Sequence, residues 1–253
     1  MQQLSTRKSE AIPGSMLQKL MAGLCAILLV FVLPGCEKIV GEGPVVTETR
    51  QVPAFQGVKV HLPAEVIYTK GPDCTLELQG QRNILDEIRT RVNDNILSID
   101  FRHDANIRRH EPIVIRITAP QASLLELHGA GKIEVNGSFD PATVRLYISG
   151  SATIDAENFQ SNKIEAGISG SGRIIVRGGA ANEGRATISG SAYIDMADVQ
   201  VKDAYTTISG SGNIRIHATD YLKANISGSG SVFYKGTPSI QSSISGSGTV
   251  VKM

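Results

Sequence analysis

The sequence predicts an all-β parallel solenoid, and three observations support that prediction. The string Ile-Ser-Gly-Ser, followed by Gly or Ala, occurs six times in residues 148–253, at intervals of 20, 20, 20, 18 and 18 residues. A nearly fixed period marks a stacked repeat in which each coil buries its apolar face against the next. Apolar and polar residues alternate on both sides of the string, as in half-buried strands, and the abundance of Gly, Ser and β-branched residues disfavours a helix. The repeat isoleucines are Ile148, Ile168, Ile188, Ile208, Ile226 and Ile244.

Each repeat reads as a strand, a Ser-Gly-Ser corner, a second strand and a variable stretch that supplies one more inward apolar residue. Phe139, Phe159 and Val199 are examples of that residue. Glycines such as Gly150 and Gly170 suit a sharp turn or a close approach between coils, and the corner serines are expected to satisfy backbone groups. The unit of about 18–21 residues fits one coil of a parallel β-solenoid.

The chain divides into three parts. Residues 1–35 are predicted to be a signal peptide, residues 36–51 a lipidated cysteine with a tether, and residues 52–253 one β domain whose repeats occupy 124–253. Short strand-like runs fill the region before the repeats. These runs do not recur at a fixed interval. This region is expected to form irregular first coils or a cap, because the open end of a solenoid needs protection.

The N-terminal segment predicts export and lipidation. Basic residues precede an apolar run over residues 20–33, which suits a signal peptide better than a membrane span. The run ends in Leu33-Pro34-Gly35-Cys36, which resembles the lipobox of bacterial lipoproteins, so we expect cleavage before Cys36 and a lipid on its thiol. The alternative to a lipoprotein signal is an ordinary secretion signal that is cleaved without lipidation. The start of translation is either Met1 or Met16. Glu37 favours the outer membrane, which predicts a protein anchored in the cell envelope.

Charge and cysteine content exclude some classes of partner. Beyond residue 35 the chain has 22 basic and 23 acidic residues, so nucleic acid is not expected as a partner. Cys74 is then the one cysteine besides Cys36, and it reads as a small apolar residue of a strand. The histidines lack ligand spacing, so we predict neither a metal site nor a cofactor.

A catalytic site is not predicted, although one alternative stays open. Asp155 and Asp195 occupy equivalent outward positions two coils apart, about 9.6 Å at the usual strand spacing, near the carboxylate separation of inverting glycosidases. A polysaccharide lyase or hydrolase using Asp155 or Asp195 is therefore the alternative, although Ile175 occupies the position between them.

Binding to a glycan or a protein would use other outward residues. The candidate ligand contacts are Tyr147, Tyr193, Tyr205 and Phe233, which stand at different positions of the repeat. The last coil, which ends in Thr249-Val250-Val251-Lys252-Met253, has an uncovered strand edge that would recruit a second copy or a partner protein. A homo-oligomer through the C-terminal coil is therefore expected.

Several motifs together resemble one protein family. Phe55-Gln56-Gly57-Val58, Asn83-Ile84-Leu85 and Thr118-Ala119-Pro120, followed by the Ile-Ser-Gly-Ser-Gly copies, resemble the auto-transporter adhesin, head GIN domain family over residues 52–253. The resemblance implies a right-handed parallel β-helix on a secreted or lipid-anchored protein with an adhesive role, and it brings no catalytic or ligand residues. We therefore expect a non-enzymatic, adhesin-like binding module, with a polysaccharide-active enzyme or a purely structural envelope component as alternatives.

Overall fold

The structure, a computed structural model, describes residues 38–102 and 106–253. Within these residues it contains one helical turn, and all other regular elements are strands. The predicted signal peptide and Cys36 lie outside the described residues, and no helix described is long and apolar enough to cross a membrane. The elements are β1 Lys38–Ile39, β2 Val45–Arg50, β3 Gly57–Val60, β4 Ala64–Lys70, β5 Thr75–Gln81, α1 Arg82–Leu85, β6 Ile88–Asn93, β7 Ile96–Phe101, β8 Asn106–Ile107, β9 Val114–Ala119, β10 Leu124–Gly129, β11 Gly131–Phe139, β12 Thr143–Gly150, β13 Thr153–Gly170, β14 Arg173–Val176, β15 Gly179–Gly190, β16 Tyr193–Gly210, β17 Asn213–Gly228, β18 Ser231–Lys235, β19 Ser239–Gly246 and β20 Thr249–Lys252.

The repeats form a parallel β-solenoid, as predicted. The repeat isoleucines stand in register from Ile148 through Ile244. The aliphatic residues six positions later stand in register from Ile154 through Val250. Apart from the last member of each series, these side chains are at most 3% exposed. The two columns of branched aliphatic residues therefore form the core of the rod, and their burial provides the main stabilisation.

Breaks in the strand pairing divide each coil into three sides. In the coil that begins at Thr143, the first side is Thr143–Gly150, the second side is residues 153–156 and the third side is residues 159–161. The third side supplies the extra inward residue that the sequence predicted, since Phe139, Phe159 and Val199 are fully buried. The rings of Phe139 and Phe159 pack 6.1 Å apart in neighbouring coils.

Glycine is required at the corner between the first and second sides. The central glycines of the six corners have φ between 119° and 128°, a region that side chains with a Cβ rarely adopt. A Cβ on Gly170 would lie 2.4 Å from the carbonyl oxygen of Gly150 in the preceding coil. That carbonyl accepts a hydrogen bond from the backbone N–H of Ser171 at 3.0 Å. The corner backbone is therefore satisfied by the neighbouring coil.

The serine side chains do not play the role expected of them. The two hydroxyl series, represented by Ser149 and Ser151, are exposed, and within the described residues none of these hydroxyls forms a hydrogen bond to the backbone. The expectation is wrong because the backbone amides already satisfy the corner carbonyls. The serines are small polar residues that fit beside the glycine.

The N-terminal coils stack in an order that differs from their order in the chain. Strand β3 pairs in parallel with β10 on one edge and with β7 on the other. Strand β4 likewise lies between β11 and β9. The coil that contains β3 and β4 is therefore inserted between the repeats and the later coil of β7 and β9.

Antiparallel strands cap this end of the rod. Strand β6 pairs with β7, β5 pairs with β9, and β2 pairs with β5, all antiparallel. Residues 45–50, which the sequence analysis places in the tether, form β2, so the folded part begins before Val52. The guanidinium of Arg50 holds this strand in place by donating to the carbonyls of Leu85 at 2.8 Å and Ile88 at 2.6 Å.

The opposite end of the rod has no such cover among the described residues. Ile240, Ile244, Val251 and Met253 of the last coil are 42–44% exposed, whereas Ile226 one coil earlier is 3% exposed. Strand β19 pairs with β17 and β20 pairs with β18, and among the described residues neither has a partner on its outer edge. The homo-oligomer through this coil stays a prediction, and these edges are the surface that it would use.

We predict that the corner glycines differ sharply in their tolerance of a methyl group. Gly190→Ala would combine φ of 128° with a Cβ 2.3 Å from the Gly170 carbonyl oxygen. It should lower the free energy of unfolding by at least about 3 kcal/mol. The matched control is Gly129→Ala, which stands in register with Gly150 at the corner of the preceding coil. There φ is 88° and no atom lies within 4 Å of the added Cβ. We expect it to cost about 1 kcal/mol. Urea unfolding followed by circular dichroism measures both values, and equal losses would contradict the clash.

Candidate functional site

The first side carries a network of charged and aromatic side chains that pair with one another. The carboxylate of Glu165 accepts hydrogen bonds from Lys163 Nζ at 2.7 Å and Tyr147 OH at 3.1 Å. Arg145 Nε lies 3.4 Å from the same carboxylate. The hydrogen bond from Lys163 lowers the pKa of Glu165, against the effect of partial burial. Glu165 is therefore the ionised centre of this network.

Tyr147 also covers a glycine in the neighbouring coil. A Cβ on Gly167 would lie 2.7 Å from the Tyr147 ring, so the ring rests directly on that backbone. Partial burial, followed by the Glu165 charge, raises the pKa of the Tyr147 hydroxyl. The side chain is therefore held by its ring and by its hydroxyl in the free protein.

The network continues along the rod to Tyr205. Lys163 reaches Glu183 at 3.3 Å, and Glu183 pairs with Arg185 at 3.0 Å. The Arg185 guanidinium lies 5.2 Å from the centroid of the Tyr205 ring, in cation–π contact. Tyr205 in turn packs edge-on against Tyr221 with the ring centroids 6.1 Å apart. One chain of contacts thus joins several coils of the first side.

The second side contains the two aspartates of the enzyme alternative, and each is bound to an arginine. Arg177 donates to both carboxylate oxygens of Asp155, at 2.8 and 2.6 Å. Arg215 donates to Asp195 at 2.7 Å, and Tyr193 OH donates to it at 2.9 Å. Ile175 lies between the two aspartates in the same column. The register prediction is correct, but the two carboxylates form separate ion pairs.

The aromatic candidates on the second side stand apart from those on the first. Arg173 stacks on Tyr193 at 4.8 Å from the ring centroid. Phe233 is paired in register between Arg215 and Val251. Tyr147, Tyr193, Tyr205 and Phe233 therefore occupy four columns on two sides, and the fold does not bring them together into one platform.

The third side contains a polar groove that the sequence analysis did not identify. It has a volume of about 610 Å³ and follows the rod from Asp140 to Asp220. Gln160, Ala180 and Gln200 stand in register along it. Its other lining residues are Pro141, Ala142, Ser161, Asn162, Ala181, Asn182, Lys202 and Thr219. Amides that recur at intervals of 20 and 40 residues were the signal in the sequence that could have revealed it.

The groove leaves amide groups available for a ligand. Asn182 Nδ2 donates to Asn162 Oδ1 at 3.2 Å, so these two amides support each other. Gln160 and Gln200 are exposed, and their side chains make no hydrogen bond within the described residues. A second hollow of about 480 Å³ adjoins the groove at Asp140, Pro141 and Ala142. The third side is thus a long concave surface whose polar groups are not all paired internally.

In residues 38–102 and 106–253, no three His, Cys, Asp or Glu side chains are arranged to hold a metal ion. The rings of His61 and His128 stack 4.3 Å apart, and His128 Nε2 lies 2.6 Å from Glu126 Oε1. Cys74 is half-buried and contacts the backbone of Phe55.

Comparison with known proteins identifies the family. The family model described as "Putative auto-transporter adhesin, head GIN domain" matches residues 54–238. The chain belongs to this family. A comparison with curated proteins found no significant match. Membership in the head GIN domain family supports an adhesin-like binding protein of the cell surface.

Solved structures share the fold of this head GIN domain. A "putative adhesin" from Bacteroides fragilis is 23% identical with a TM-score of 0.79, over 85% of this chain and 100% of that chain. A second "putative adhesin", from Parabacteroides distasonis, is 24% identical with a TM-score of 0.71, over 86% and 100%. A "putative lipid binding protein" from the same organism is 24% identical with a TM-score of 0.70, also over 86% and 100%. At these identities the likeness establishes the fold alone.

We predict that the head GIN domain loses stability at acid pH because Glu165 becomes protonated. The pKa of Glu165 is lowered from its ordinary value of 4.5 in the folded chain. Its contribution is therefore present above that value and is lost as the pH falls through the folded pKa, because the unfolded chain binds the proton first. The urea midpoint should fall between about pH 6 and about pH 3, and Glu165→Gln should reduce that fall. An identical pH dependence in the variant and the wild type would contradict this assignment.

Proposed function

We propose that this chain is a non-enzymatic, lipid-anchored binding module of the cell envelope. The observation that supports it best is the distribution of polar groups on the rod. On the first and second sides the charged and aromatic side chains largely pair with one another, as at Glu165, Asp155 and Asp195. The third side keeps an open groove with unpaired amides. A rigid rod with a long receptive surface suits binding, and family membership supports an adhesin-like role.

The enzyme alternative has less support from the same contacts. Hydrolysis of a glycosidic bond needs one carboxyl group that is protonated and a second that is free to act on water or sugar. Asp155 has a bidentate guanidinium partner, and Asp195 has both a guanidinium and a hydroxyl partner. These partners occupy oxygens of both carboxylates, so neither group is left free to act on a sugar or a water. The pair is better explained as two elements of the solenoid surface.

The anchor and the location belong to the same proposal. The apolar run at residues 20–33 and the lipobox-like Leu33-Pro34-Gly35-Cys36 support cleavage before Cys36 and attachment of lipid to its thiol. Glu37 in the following position supports sorting to the outer membrane. The membrane is then a partner through the anchor, and the folded domain takes its ligand from outside the lipid.

We predict that Cys36 carries the lipid. Cells that express the full chain and are fed labelled palmitate should incorporate label into the wild type, while Cys36→Ser should remain unlabelled. Cys25→Ser is the matched control, because Cys25 lies within the apolar run and should leave labelling unchanged. Equal labelling of the wild type and Cys36→Ser would overturn the anchor.

We predict retention of polysaccharide without cleavage. The full chain, extracted in detergent and immobilised, should retain at least one polysaccharide from a panel of neutral and acidic polymers, and no new reducing ends or unsaturated products should form. Asp155→Asn and Asp195→Asn should retain the same polymer.

Turnover that disappears in either aspartate variant would establish the enzyme alternative. If no polymer is retained, the chain is better explained as a structural component of the envelope.

A further inference from the structure

We propose that the third-side groove binds an extended, neutral carbohydrate chain that lies along the axis of the rod. This inference rests on the proposed binding function, and it names the site and the class of ligand. The groove is lined by residues of five successive coils, from Asp140 to Asp220. At the usual spacing between neighbouring strands, these coils extend over about 19 Å. The ligand that fits such a surface is long and narrow.

The chemistry of the lining selects a ligand rich in hydroxyl groups. A carboxamide offers two donors on nitrogen and an acceptor on oxygen, so it can either donate a hydrogen bond to a hydroxyl group or accept one from it. Four amides line the groove, at Gln160, Asn162, Asn182 and Gln200. Since the Gln160 and Gln200 side chains make no hydrogen bond within the described residues, a ligand could pair with them without breaking an internal contact.

The same lining disfavours a lipid and a polyanion. The apolar residues of the groove are alanines and Pro141, so it lacks the large aliphatic or aromatic wall that would bury an acyl chain. Its charged residues are Asp140, Lys202 and Asp220. A single cation between two carboxylates does not form the concentrated positive surface that an anionic polymer requires.

The axial arrangement selects a chain over a single sugar. Gln160 and Gln200 occupy the same register position two coils apart, and the small residue Ala180 stands between them. A ligand that runs across Ala180 can therefore reach both amides at once. The adjoining hollow lined by Gln56, Gln121 and Arg145 extends the same surface toward the earlier coils.

The test is calorimetric titration of the full chain in detergent with soluble neutral oligosaccharides of glucose and of N-acetylglucosamine, from monosaccharide to octasaccharide. Affinity should rise with length until the oligosaccharide spans the groove and should then level off. The double variant Gln160→Ala with Gln200→Ala should weaken binding about tenfold, because each truncation removes hydrogen bonds to the ligand. Ala180→Leu keeps every amide but fills the groove, and it should weaken binding as well.

Thr187→Ala with Thr207→Ala is the matched control. These exposed residues also stand in register in neighbouring coils, but on the first side, and their loss should leave affinity unchanged. Unfolding midpoints of all variants should equal that of the wild type.

Three outcomes would overturn the inference. Wild-type affinity in both groove variants would exclude the groove while leaving the binding function intact. Loss of binding in the threonine control alone would move the site to the first side. Binding of acidic polysaccharide or of phosphatidylglycerol vesicles, with no binding of any neutral oligosaccharide, would exclude the proposed ligand class.

Discussion

The close approach of each corner backbone to the corner of the preceding coil is the constraint on which the rest of the structure depends. A carbonyl oxygen occupies the place that a Cβ of Gly170, Gly190 or Gly210 would need. Glycine therefore allows one coil to lie against the next and to receive its hydrogen bond. Because the corner fixes the register, each residue stands over its counterpart in the neighbouring coil, and the isoleucines form an unbroken core.

The same register explains how the surface is organised. Residues about twenty positions apart become neighbours at the strand spacing, so a charge in one coil meets whatever the next coil carries in that column or beside it. Asp195 with Arg215 and Arg173 with Tyr193 are such pairs. These contacts link neighbouring coils along the rod and occupy the groups that a ligand would otherwise use. The third side differs because Ala180 interrupts its column of glutamines and leaves space there.

The fold of the repeated half could be predicted, because the spacing of its motifs gives the register of the coils. The fold of the N-terminal half could be predicted only in part. Alternating strands predict burial on one face but do not name the neighbour of each strand. Nothing in Gly57–Val60 indicates that it pairs with both β7 and β10. The repeat does not specify the contacts of the aromatic residues, because their partners lie in adjacent coils and depend on side-chain reach. The sequence does not predict the groove, because small residues and amides line it and each of them alone is a weak signal.

The two ends of the rod differ in a way that bears on how the protein would be displayed. The first described residues, at Lys38–Ile39, pair with β8, and Asn83 of α1 donates to the carbonyl of Val40 at 2.7 Å. The chain thus enters the fold at the capped end, without the long tether that its composition indicated. With lipid on Cys36, as proposed, one residue of sequence would separate the anchored cysteine from Lys38. Under that proposal the capped end would be the end nearer to the anchor in sequence, and the coils that line the groove would follow it along the rod.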